Sequence, residues 1–215
     1  MEAVVDNLPL YWQGFRTTLI LALVSGAIAL VWGTILGAFR VSPVPPLRAF
    51  GGAYVEIVRN TPLTLVFFFF VFVWPQIGPS VPFFISAIAA LSIYTASFVC
   101  EAVRSGINSV GVGQAEAARA VGLTFTQTLS IIIVPQALRT VVPPLINVFI
   151  ALAKNTSVAG GFFVAELFGV ARRLANAHPP DVIAVLIGVG VAYLVITVPA
   201  GVLAGYVERK VVFAR

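Results

Sequence analysis

Residues 17–39 read TTLILALVSGAIALVWGTILGAF, closed by Arg16 on one side and Arg40 on the other, with no charge between them. A bilayer core about 30 Å thick is crossed by roughly 20 apolar residues in a helix, so this stretch predicts a transmembrane helix. The rest of the chain agrees with it. Of 215 residues, 60% are hydrophobic and 10% charged, with a mean hydropathy of +1.03, whereas a water-soluble domain carries roughly 25% charged residues. These values exclude a soluble globular fold and predict an all-α, polytopic membrane protein. A single cysteine excludes a disulfide framework, a four-cysteine zinc site and a CxxC redox pair. A single histidine excludes most histidine-based metal or catalytic constellations. The net charge of +5 is that of loops at a membrane surface and calls for no nucleic acid.

Outward from residues 17–39, the chain has no charge from Asn60 to Cys100, but Trp74-Pro75-Gln76-Ile77-Gly78-Pro79-Ser80-Val81-Pro82 cannot continue one helix. It reads as two spans joined by a tight turn. Thr61-Pro62 suits the start of the first of them, because threonine caps free amides and proline fits the first helical position. Asp181 to Val207 is a further span. Thr140 to Ala153 is charge-free but short at 1.5 Å per residue. Residues 124–138 would lengthen it from below, although Pro135 and Pro143-Pro144 predict a bend or break. The expected architecture is one transmembrane domain over residues 1–215 with about five spans, at 15–39, 61–78, 82–103, 136–154 and 182–207.

Glu2 and Asp6 stand where a signal peptide would be positive, so none is read at the N-terminus. With the N-terminus outside, nine Lys and Arg residues fall in inner segments and four outside, which predicts an external N-terminus and a cytoplasmic C-terminus. Gly33-x-x-x-Gly37 and Gly201-x-x-x-Gly205 would let helices approach closely.

A polar segment from Glu101 to Pro135, with the loop itself at about 104–135, is far longer than neighbouring helices need. Gln114 to Val121 is a short, alanine-rich helix former that Gly122 ends, and Thr124 with Gln127 fits a capping box for a second helix. A helix of small side chains suits a groove in another protein; an interfacial connector is the alternative.

Glu116-Ala117-Ala118, three residues, Gly122, nine residues, Ile132, one residue and Val134-Pro135 resemble the EAA motif of ATP-binding cassette (ABC) importer permeases, with Val134 where leucine is usual. Gly113-Gln114, Pro135-Gln136-Ala137-Leu138-Arg139, Lys154-Asn155-Thr156-Ser157 and Arg59-Asn60-Thr61-Pro62 are similar to the polar amino acid subfamily. Arg40-Val41-Ser42-Pro43 and Arg104-Ser105-Gly106-Ile107-Asn108 look most like its actinobacterial glutamate permeases. The resemblance implies a type I importer permease in a bacterial plasma membrane, with a coupling helix of Gln114, Glu116, Ala117, Ala118, Arg119 and Gly122. It also implies two cytoplasmic ATPase subunits that bind Mg-ATP, a second permease that is a paralogue, and an extracytoplasmic amino-acid-binding protein. No G-x-x-x-x-G-K-[ST] phosphate loop occurs in the chain, which therefore needs a separate motor and is not itself an enzyme. Ala118 and Gly122 lie four apart on one face, and Glu116 and Arg119 are spaced to pair.

Lys154 is the charge most expected at membrane depth, where the cost on insertion scales is about 2.5–3.5 kcal/mol. With Asn155, Thr156 and Ser157 following, and Gly160-Gly161 beyond, the backbone is expected to break there and line a cavity; snorkelling of the lysine to the interface is the alternative. Tyr94, Thr95 and Glu101 are further candidates for a substrate path. Glu101 also pairs with Arg104 on simple spacing, and Asn147 reads as a contact between helices. Glu166, Arg172, Arg173 and Asp181 are expected on an outer docking face. Two other classes stand beside the importer: an autonomous channel or secondary carrier for a small polar solute, and an intramembrane hydrolase, for which His178 alone is available as a base.

Overall fold

The computed structural model describes residues 2–212. After a short helix α1 (Glu2–Val5), a long helix α2 (Leu8–Val41) crosses the bundle. Next come α3 (Pro45–Asn60) and a rod made of α4 (Leu63–Phe68), a π-helical turn (Phe69–Val73) and α5 (Trp74–Ile77). Helix α6 (Phe83–Asn108) runs parallel to α2 and is followed by the short α7 (Val112–Ala120). α8 (Phe125–Gln127), a second π-helical turn (Thr128–Ile133), α9 (Val134–Asn155) and α10 (Ser157–Gly161) run on as one rod. α11 (Leu167–Ala177) and the long α12 (Val182–Val212) complete the chain. Four helices are long and apolar enough to cross a membrane, and α3 with Leu63–Ile77, bent by 101°, makes a fifth if the pair counts as one span.

Two helices extend differently from the expected spans. The second span is not a free-standing helix over 61–78, because an amphipathic helix, α3, leads into it through the bend. Thr61 does not start that span. It ends α3, where its Oγ1 donates to the Ile57 carbonyl at 2.7 Å, and Pro62 alone precedes α4. The helix that contains the expected fourth span, 136–154, reaches from Phe125 to Gly161, and its prolines do not break it. Pro135 follows a π-helical turn, as Pro75 does. A proline ring collides with the carbonyl four residues back, and a widened turn moves that carbonyl aside. Pro143 and Pro144 lie inside α9, which continues through them.

Small residues decide how the helices meet. A β-carbon on Gly33 would lie 2.5 Å from Val99 Cβ and 2.7 Å from the Ala96 carbonyl, and one on Gly37 would lie 2.7 Å from Val103 Cγ1. The expected close approach therefore occurs between α2 and α6. Gly201 and Gly205 differ, since a β-carbon on either meets nothing within 4 Å. Around this contact, Leu21, Leu63, Phe67, Ala87, Leu91 and Leu152 form one core, while Leu167, Val170, Ala171 and Leu174 of α11 lock onto Tyr11, Val185 and Val189 in another. The α12 side chains Ile183, Ile187, Val191, Leu194, Val198 and Val202 are exposed, as expected of a surface whose solvent is hydrocarbon.

Parallel α2 and α6 place Val41 and Asn108 at the same end as α7, and the start of α8 and the end of α12 lie there too. This is the α7 end. Residues 78–82 and the 162–181 segment occupy the far end.

Candidate functional site

Asn147, Ala151 and Asn155 are four residues apart and share one face of α9. Opposite them, Tyr94, Thr95 and Phe98 share a face of α6, and between the two faces lies a cavity of about 290 Å³, closed by Val148 and Leu152. That is close to the lower end of small-molecule pockets, about 300–1,000 Å³. Its wall is mainly apolar, with a few polar groups from Tyr94, Thr95, Asn147 and Asn155. Thr95 is buried, Tyr94 and Asn155 are half-buried, and Asn147 and Ala151 are exposed, so the cavity opens on the α9 side.

The structure thus brings Tyr94, Thr95 and Asn155 together and sends the other candidates elsewhere. Lys154 is exposed outside the cavity wall. Thr156 is fully buried, its Oγ1 donating to the Ala153 carbonyl at 2.7 Å, and Ser157 donates to the Lys154 carbonyl at 2.7 Å. Thr156 itself keeps helical angles, so the expected break at Lys154 does not occur. The chain turns only after Gly161, where Phe163 takes a φ of 65° and the Val164 N–H reaches back to the Ala159 carbonyl. The hydroxyls of Thr156 and Ser157 bond to carbonyls three residues back, so both are satisfied within the helix and neither faces the cavity.

Glu101 stands apart from this cavity in a second chamber of about 390 Å³, bordered by Arg40, Val55, Glu56, Arg59, Asn60 and Phe98. Its pair with Arg104 forms as spacing suggests, at 3.0 Å to Nη2 and 3.4 Å to Nε. Arg40 Nη1 at 3.1 Å and Arg59 Nη1 at 3.6 Å join the same carboxylate from α2 and α3. Three helices are therefore tied at one acid. The sequence alone assigned these arginines to topology and could not bring them to one point. Phe98 escapes the sequence reading altogether, and Asn147 reads there as packing; the eight-residue spacing of Asn147 and Asn155 is the signal for their shared face.

Helix α7 ends as expected. Gly122 has a φ of +86°, the left-handed conformation that favours glycine, and the Leu123 N–H reaches back to the Ala118 carbonyl at 3.1 Å. The capping box of Thr124 and Gln127 forms in both directions. Gln114, Glu116, Ala117 and Arg119 are exposed, whereas Ala118 is buried against the chain itself. Ala118 and Gly122 therefore make no common free face. Glu116 and Arg119 form no ion pair with each other; Arg119 Nε donates instead to the Ala115 carbonyl at 3.2 Å.

Glu166 is also corrected, since it is not on an outer face. It is fully buried, caps α11 through the Gly169 N–H at 2.7 Å, and accepts from Tyr193 at 2.6 Å and Thr18 at 3.4 Å. Burial pushes its carboxyl up, against the hydrogen bonds that pull it down. Arg172 and Arg173 remain exposed on α11.

Residues 29–213 match the family described as binding-protein-dependent transport system inner membrane component. The chain is 39% identical to the probable glutamine ABC transporter permease GlnM of Bacillus subtilis over 98% of its own length and 97% of that protein. It is 38% identical to the glutamate transport system permease GluC of Corynebacterium glutamicum, covering 94% of this chain and 92% of the other. Among solved structures, an amino acid ABC transporter with histidines superimposes with a TM-score of 0.90 at 28% identity, over 96% of both chains. An inward-facing MetNI methionine transporter, at 22% identity and a TM-score of 0.76, shares the fold, covering 96% of this chain and 98% of that one. With helices long and apolar enough to cross a membrane and relatives that are permease subunits, this chain is no enzyme; it belongs to the family of binding-protein-dependent transport system inner membrane components.

Proposed function

We propose that this chain is the permease subunit of an ABC importer for amino acids, with glutamate as its cargo, moved inward by alternating access. The observation that carries this reading is the cavity between α6 and α9, where Tyr94, Thr95, Asn147 and Asn155 face a small volume that opens on the α9 side. Isolated polar groups at membrane depth are costly unless they meet one another, water or a ligand. Carboxamides and hydroxyls offer both donors and acceptors to an amino acid. Lys154, exposed beside Asn155, supplies a cation for a carboxylate on the open side. The Corynebacterium relative named for glutamate supports this cargo; the Bacillus relative named for glutamine makes glutamine the competitor.

In this reading α7 is the coupling helix. Gln114, Glu116, Ala117 and Arg119 meet a cytoplasmic ATPase, Ala118 holds the helix to the permease, and Gly122 sets the turn that returns the chain to the membrane. Two ATPase subunits bind Mg-ATP, a paralogous permease covers the open side of the cavity, and an extracytoplasmic binding protein docks at Arg172 and Arg173. The N-terminus lies outside the bacterial plasma membrane and the C-terminus in the cytoplasm, in keeping with the excess of Arg and Lys at the α7 end.

Proteoliposomes holding the assembled complex, with radiolabelled glutamate and glutamine as alternative cargoes, test the proposal. ATP-dependent glutamate uptake that glutamine displaces weakly is expected. Uptake by the solitary chain without ATP would make it an autonomous channel or carrier, and a preference for glutamine would reassign the cargo.

A further inference from the structure

At the chamber around Glu101 three arginines stand against two acids, with Arg40 and Arg59 in its wall and Arg104 behind Glu101. Arg40, Arg59 and Arg104 all converge on the one carboxylate, and Glu56 is the one other acid in the wall. Glu101 is nearly saturated, with Arg104 on both oxygens and Arg40 at 3.1 Å. Arg59 is the loosest of the three. Its contact of 3.6 Å is longer than a hydrogen bond, and its side chain is 42% exposed. A guanidinium has five N–H donors in a planar fork that matches a carboxylate, so Arg59 has donors to spare. Asn60 adds a carboxamide to the same wall.

Position adds to charge. Phe98 borders this chamber and also the cavity of Tyr94, Thr95 and Asn155. The partition between the two volumes is therefore formed in part by one aromatic ring, and the Arg59 guanidinium lies over it, 5.2 Å from its centroid. The chamber is on the α7 side of that ring, as the sequence order Tyr94, Phe98, Glu101, Asn108 along α6 requires. A ligand that drew Arg59 away would release the cation from the ring and loosen the partition.

Resting on the reading of the chain as an amino-acid permease, we propose that the Arg40–Arg59–Glu101 chamber is a second binding site, one for the carboxylate of an amino-acid cargo, entered past Phe98 as the cargo leaves the α6–α9 cavity. Arg59 is its principal ligand. Arg40 and Arg104 hold Glu101 in place, so that Arg59 can exchange Glu101 for the cargo carboxylate and return to it.

Equilibrium binding of radiolabelled L-glutamate to the assembled complex in nanodiscs, without the binding protein, tests this. Wild type is expected to bind in two classes, one of them weakened by high salt. Arg59→Met should weaken the salt-sensitive class by about tenfold or more and spare the other, while Arg59→Lys, which keeps charge but loses the fork, should weaken it less. Binding in Arg59→Met and Arg59→Lys that matches wild type, with glutamate uptake by wild type intact, overturns the second site and leaves the permease reading standing. A wild-type complex that neither binds nor takes up glutamate or glutamine overturns both. Discs of phosphatidylcholine alone and discs containing phosphatidylglycerol separate a free carboxylate from a lipid headgroup: equal binding supports the cargo site, and loss of the salt-sensitive class in phosphatidylglycerol assigns the chamber to lipid and overturns it.

Discussion

Tyr193 of α12 donates a 2.6 Å hydrogen bond to Glu166, a fully buried carboxylate at the start of α11. Thr18 of α2 and the Gly169 N–H complete its shell, so one acid ties together α2, α11 and α12. Removing the phenolic donor leaves a buried carboxyl oxygen short of a partner. Tyr193→Phe is expected to cost about 1–3 kcal/mol, read as a lower thermal midpoint of the purified complex.

Burial raises the Glu166 carboxyl, and hydrogen bonds from Tyr193, the backbone and Thr18 oppose the shift without cancelling it. A native pKa above the unfolded value means that the folded state holds the proton more tightly. The group's stabilising contribution is then complete below the ordinary carboxylate range and is lost as pH rises through the native value. Glu166→Gln cannot titrate. Its thermal midpoint relative to wild type should therefore rise between acid and neutral pH; a constant difference across that window would contradict the assignment.

Gly33 meets α6 at the backbone, so any side chain there must push the helices apart. Gly33→Leu is expected to destabilise the protein by about 1–3 kcal/mol or more and to lower the yield of folded protein in membranes. Gly201→Ala fills open space and should leave yield unchanged. Fluorescence size-exclusion profiles of the two variants make the comparison directly.

The left-handed turn at Gly122 constrains coupling through backbone conformation. Gly122→Leu adds strain of about 1–2 kcal/mol at that residue and tilts the exit of α7. Uptake should fall while ATP hydrolysis by the assembled complex persists. Gly122→Asn, better tolerated in the left-handed region, should restore part of the transport per ATP hydrolysed.

In the α6–α9 cavity, Asn155→Leu removes a carboxamide from the wall and is expected to reduce uptake by about tenfold or more with assembly unchanged. Lys154→Met should slow uptake as well. Wild-type rates in both variants, measured at equal amounts of complex, would take this face of α9 out of the transport path.

Reversal of Arg172 and Arg173 together leaves the α11 core untouched, because Leu167, Val170, Ala171 and Leu174 carry it. Uptake that depends on the binding protein should weaken and lose part of its salt sensitivity, whereas basal ATP hydrolysis should not change.

Much of this protein is one-dimensional. Hydropathy along residues 17–39 and 83–100 is enough to specify helices in a bilayer, because every buried backbone group must bond within its own segment. Gly122 and the Thr124–Gln127 box mark the limits of α7 through interactions a few residues long, and they form as their order implies. The tertiary structure decided what depends on the rotation of one helix against another. Gly33-x-x-x-Gly37 and Gly201-x-x-x-Gly205 are the same pattern, yet only the first pair meets a neighbouring helix. Glu101 collected Arg40 and Arg59 from helices far away in sequence, and Glu166 turned inward although it stands in a charged segment between helices. Local sequence marks helix limits where a cap or turn lies within a few residues, as at Gly122 and Thr124; crossing angle and rotation, settled by packing across the whole bundle, set which polar groups share a cavity.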